Sequence, residues 1–127
     1  MAASVFYTGS LILYQVVRRL RAVKENRVSG HYYRTYSEKT KVPEDLLVLE
    51  RHVDNQFQLP ALFLVTMAVH LALNLDDLWT LILAWSFIGA RLAHSYVHLS
   101  SNRVLLRARV YALGWLVIWV LWIRLLF

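Results

Sequence analysis

The sequence contains no cysteine, only four glycines and two prolines, and eight acidic residues against fourteen lysines and arginines. Without cysteine there is no disulfide framework, no thiolate zinc site and no thiol nucleophile, so any thiol chemistry must use a bound thiol. Internal repeats and low-complexity tracts are absent, and the composition excludes disorder and coiled coil. The shortage of acids leaves a net charge of +6, yet eight of the cations lie between Arg18 and Lys41. That is a loop bias and not a basic face, so no nucleic-acid partner is expected. What the chain does have is apolar residues: 58% of its 127 positions, five tryptophans and a mean hydropathy of +0.44. This exceeds the roughly 45–50% of soluble domains and points to a single domain with a bilayer as solvent.

Four stretches are long enough to span about 30 Å of hydrocarbon at about 1.5 Å per residue. They cover about residues 2–20, 44–73, 78–99 and 103–127, with a basic connection over about 21–43. The first ends in arginines without a small-residue cleavage signature and reads as a retained helix. The second opens on Pro43-Glu44-Asp45, a helix-start signal. Cations cluster after the first and third helices, whereas the Asn74–Asp77 turn carries only acids. The positive-inside rule therefore puts both termini on the non-cytoplasmic side of an all-α, integral membrane four-helix bundle. Trp79 and Trp122 fit an interfacial belt, and Arg124 is placed to snorkel outward.

The informative residues interrupt the apolar runs, because an arginine at a helix centre costs about 2.5–3.5 kcal/mol on insertion scales. Counting inward from the outer markers puts the inner boundary near Tyr96–Val97, Gln56 and Arg107. Arg91 and His94 then fall roughly 4–9 Å inside it, with Asn55, Gln58, Arg107 and Tyr111 near the same depth. Arg51, Asn55 and Gln58 stand at i, i+4 and i+7, Arg91, His94 and His98 form a second stripe, and Arg107 and Tyr111 a third, with Arg103 one turn earlier. Such stripes suit interhelical hydrogen bonding and a ligand pocket equally well. Charge favours a ligand: Arg51, Arg91 and Arg107 have only Asp54 and Glu50 nearby, so an anionic guest would complete the set. His94 and His98 could resemble a metal pair, but no carboxylate or third histidine is expected at their depth, so no metal is expected. His52 is expected in wet, basic surroundings.

Three stretches, Arg51 to Phe63 (RHVDNQFQLPALF), Arg91 to Leu99 (RLAHSYVHL) and Asn102 to Tyr111 (NRVLLRARVY), occur in an order and spacing that resembles the MAPEG family, membrane-associated proteins in eicosanoid and glutathione metabolism. The likeness is greatest to its short bacterial members and spans about Arg18 to Leu126. It implies a homotrimer with glutathione bound between subunits on the cytoplasmic side, in a bacterial inner membrane. By motif, Arg51, Asn55, Gln58, Arg91, His94, His98, Arg103 and Tyr111 fall on or beside glutathione-contacting positions. Arg107 falls on the arginine thought to stabilise the thiolate, with Arg103 as substitute. Three departures stand out: Gln58 replaces the usual acid, His98 a common tyrosine, and Ala108 the serine of prostaglandin-synthase members.

Two functions follow from the resemblance and the polar set. One is a glutathione-dependent membrane transferase or peroxidase acting on lipophilic electrophiles, with Arg107 on the thiolate and His94 as general base. The other is a non-catalytic membrane protein holding a lipid or other anionic ligand in the same pocket, its basic loop on anionic lipid. A transporter or channel component is disfavoured by the lack of a pore-lining charge series.

Overall fold

A computed structural model describes residues 1–36 and 41–126. The middle of the basic connection and the last residue of the expected fourth helix lie outside the described residues. Every regular element described is helical: α1 (Ala2–Lys24), α2 (Tyr32–Thr35), α3 (Glu44–Asp54), α4 (Leu59–Ala72), α5 (Leu78–Leu99) and α6 (Val104–Ile123). With so few glycines, the chain ends its helices on asparagine, the L-residue that best tolerates left-handed backbone. Asn26, Asn74 and Asn102, with φ of 55°, 54° and 46°, follow α1, α4 and α5.

The helix expected over 44–73 is broken. α3 stops at Asp54 and α4 restarts at Leu59, with Gln58 at φ −94° and ψ −94° between them. Pro60 is the cause: lacking an N–H, it cannot donate to the carbonyl one turn back, whereas the first turn of a new helix accepts it without penalty. Over the break the ladder tightens to i→i−3 bonds, Gln56 N–H to Val53 O and Phe57 N–H to Asp54 O.

α5 lies along α6, α1 along α3, α3 against α5, and α4 against α6. The apolar core sits where α4, α5 and α6 meet, around Leu59, Phe63, Met67, Phe87, Ile118 and Leu121. Phe63 and Phe87 stack there with ring centroids 4.1 Å apart. Gly114 admits this approach, since a Cβ at that position would stand 2.9 Å from Leu59 Cδ2. Among the described residues only Val104–Ile123 is long and apolar enough to cross a membrane by length and composition. The break shortens α4 to 14 residues, and α5 carries Arg91 and two histidines.

Ion pairs close both ends. Arg18 and Arg27 hold Asp45 at 2.6 and 2.9 Å, and Arg19 holds Glu50 at 3.0 Å, tying the basic end of α1 to α3. At the other end Arg124 does not reach away from the protein but binds Asp77 at 2.6 Å and Thr80 Oγ1 at 2.8 Å. The Arg124 guanidinium, helped by the Thr80 backbone N–H, holds the Asp77 carboxyl below the usual carboxylate range. A lowered native pKa stabilises the fold above the unfolded value near 4 and ceases to do so as pH falls through the native one. Thermal midpoints in detergent should therefore fall on acidification, and Asp77→Asn should flatten that acid limb while lowering the neutral-pH midpoint. An acid limb of unchanged slope in the variant would assign it to other groups.

Candidate functional site

The break in the second helix and the start of α6 frame an open groove of about 710 Å³. Asn55 and Gln58 enter from the irregular turn, His94 from α5, and Arg107 and Tyr111 from α6. Val104, Ala112, Trp115, Leu116 and Trp119 continue it along α6 as an apolar wall. The groove thus has a polar end and a greasy end, a division that suits a ligand with both characters.

Arg107 is half-buried, and its Nη1 donates to Asn102 Oδ1 at 2.7 Å. This bond fixes one arm of the guanidinium without neutralising it. Asn102 therefore both turns the backbone between α5 and α6 and holds the groove's cation. Tyr111 donates to Gln58 Oε1 at 3.4 Å, joining α6 to the turn. Behind Tyr111, Arg91 is 3% exposed, with its guanidinium carbon 5.5 Å from the centre of the phenol ring. None of its three side-chain nitrogens has a hydrogen-bond partner among the described residues. A buried guanidinium facing only a ring is a strong demand for an anionic or polar contact. Ser95, which donates to Arg91 O at 2.9 Å, accepts a short hydrogen bond from Tyr7 and thereby ties α1 to this region.

Of the residues singled out from sequence, Asn55, Gln58, His94, Arg107 and Tyr111 meet at the groove, and Arg91 stands behind it. Arg51 and Arg103 are exposed and do not line it. The stripe of Arg51, Asn55 and Gln58 does not exist as one face, because the helix ends before Asn55. Glu50, counted above as a nearby acid, is paired with Arg19.

His52 corrects the expectation most. It is fully buried, its Nδ1 lies 3.1 Å from His98 Nδ1, and its ring stacks over His94 with centroids 5.9 Å apart. A third histidine therefore does stand at the depth of His94 and His98. The signal was in the sequence: Leu49, His52, Val53 and Gln56 follow i, i+3, i+4, i+7 and are all buried, so this stripe, and not the adjacent Arg51 stripe, faces the protein.

The MAPEG family model matches residues 1–127, the whole chain. The chain belongs to the MAPEG family. Neither a curated protein nor a solved structure matches it. Membership makes this MAPEG protein a helical membrane protein of a family concerned with glutathione- and eicosanoid-related transfer chemistry, whose members generally use glutathione.

Proposed function

We propose that this MAPEG protein is a glutathione-dependent transferase or peroxidase for lipophilic electrophiles, with the thiolate stabilised by Arg107. One observation carries the reading: among the described residues Arg107 stands uncompensated by any carboxylate, in a groove whose other lining is neutral amide, imidazole, phenol and apolar surface. A cation at the junction of a polar and an apolar half favours a bound thiol in its thiolate form, next to space for a lipid-soluble partner. In conjugation, the sulfur would attack the electrophilic carbon, the S–C bond forming as the leaving group departs with its electron pair. The thiol proton passes to water.

Asn55, Gln58 and Tyr111 supply the neutral donors and acceptors that orient a peptide-like thiol. Arg91, beneath Tyr111, offers a second cationic contact once the ring shifts. His94 borders the groove, but both its ring nitrogens are sealed from solvent. The role of general base is accordingly withdrawn from it, and thiolate formation rests on arginine. The groove's open side is where a neighbouring copy in a homotrimer would close the site.

Glutathione titrated into detergent-purified protein should give a saturable ultraviolet thiolate difference signal, free of background in a chain without cysteine. It should also raise the thermal midpoint, and the complex should consume a chlorodinitrobenzene-type electrophile. Absence of both signal and protection, with protection by an anionic phospholipid instead, would replace the enzyme with a lipid-binding protein.

A further inference from the structure

The histidine cluster behind the groove has no task in the thiol reading. His52, His94 and His98 are 0%, 2% and 1% exposed, and each offers a ring nitrogen such that the three atoms lie within 4.8 Å of one another. We propose that these three histidines form a binding site for a divalent transition-metal ion that prefers nitrogen ligands, zinc foremost.

The geometry supports it first. Ligands about 2.0–2.1 Å from a tetrahedral zinc stand about 3.3–3.4 Å apart, and the His52 and His98 Nδ1 atoms are already separated by 3.1 Å. His94 and His98 project from one face of α5 at i, i+4, and α3 brings His52 to meet them. All three come from helices packed on each other, so the donors are positioned before any ion arrives.

Hydrogen-bond accounting supports it second. A single N–H···N bond between His52 and His98 would satisfy two nitrogens and leave both nitrogens of His94 and Nε2 of His98 without a partner, all fully buried. Several orphaned imidazole nitrogens in one place are costly, and a shared ion serves one from each ring at once. The surroundings of His52 fit as well. A metal-bound histidine donates its other N–H to an outer acceptor. Gln56 lies 3.4 Å from His52 Nε2, and its own Oε1 is buried without a partner. Turning that amide over sets Oε1 to accept the Nε2–H, in exchange for the long 3.4 Å bond that Gln56 Nε2 donates to His52 O.

Among the described residues no carboxylate joins the cluster, and the chain has no cysteine, so the donor set is three neutral imidazoles, which suits zinc, copper or nickel and not calcium or magnesium. The charged neighbours of His98 are Arg107, Arg91 and Arg51. Three neutral ligands among cations leave a fourth position that an anion would suit.

The site stands independently of the thiol reading, because metal uptake is measured without glutathione. Chelator-stripped protein in mild detergent, titrated with Co²⁺, should take up one ion per chain with the intense visible absorption of a tetrahedral complex, displaced by Zn²⁺. His52→Gln and His98→Gln should each weaken uptake by at least about tenfold, while the exposed His31→Gln leaves it unchanged. Uptake far below one ion per chain by the folded wild type would overturn the proposal whatever the variants do. So would a weak, octahedral spectrum, or uptake that persists undiminished in folded His52→Gln and His98→Gln proteins.

Discussion

Arg107→Ala should abolish the saturable thiolate signal and reduce turnover of a lipophilic electrophile by about 10²–10³-fold, the loss found when one preorganised charge-stabilising donor is removed. The side chain is well placed for a large effect because its charge is uncompensated. Asn102 takes one N–H of Nη1 and leaves the rest of the guanidinium available to the groove. The same half-exposed position means that removing the side chain vacates the groove without opening the core, so thermal unfolding in detergent should change little. Arg107→Lys should recover only part of the activity, since a point charge cannot be held by Asn102 and still present a fork. Asn102→Ala should produce a smaller loss in the same direction, because it releases the arm without deleting the cation. An Arg107→Ala protein that still ionises bound glutathione would remove arginine from the mechanism.

The largest effect on stability should come from Phe87→Ala, in the core cluster against which the groove residues Tyr111 and Trp115 also pack. Phe87 and Phe63 are both 0% exposed and stack at an interplanar angle of 8°, where α4, α5 and α6 converge. Deleting the ring leaves a space that Gly114, which has no side chain, cannot fill. In a soluble core the cost is about 3–5 kcal/mol. Lipid tails are as apolar as the interior, so the transfer part is largely absent, and the packing loss alone gives about 2–3 kcal/mol. This corresponds to a fall of roughly 10 °C in the thermal midpoint in detergent. A change of only a degree or two would mean that α4, α5 and α6 are held together chiefly by contacts other than this stack.

Depth and side-chain chemistry were legible without a structure, which is why Asn55, Gln58, His94, Arg107 and Tyr111 could be nominated together. Counting residues along helices brings groups on neighbouring helices to a common level, because helical rise is nearly constant. Rotation about the axis is harder to read. Between the stripes Arg51–Asn55–Gln58 and Leu49–His52–Val53–Gln56 the sequence offers two faces only about 100° apart, and the charges on the first drew attention from the apolar partners on the second. His52 is flanked by Arg51, yet its neighbours one turn away decide its fate. The break before Leu59 was hidden for a related reason: the mainly polar residues 54–58 read as the wet start of the same helix, and Pro60 stands at the head of the apolar run that follows, where it also suits a helix start. The pairing of Arg124 with Asp77 was recoverable in principle, since α5 and α6 are nearly equal in length and run back to back, which returns the end of the last helix to the turn before α5.

The broken second helix also acts as a depth gauge. Its 14-residue portion α4 measures about 21 Å, against about 30 Å of hydrocarbon. Irregular backbone at 55–58 cannot face lipid tails, which offer its freed amide and carbonyl groups no partners. Such backbone is tolerated where protein or water covers it, and here Gln56 is buried against the protein while Gln58 is exposed at the polar mouth of the groove, where water can reach it. A water-soluble reactant could then arrive from one side and a membrane-dissolved one along the tryptophans, each without leaving its own phase.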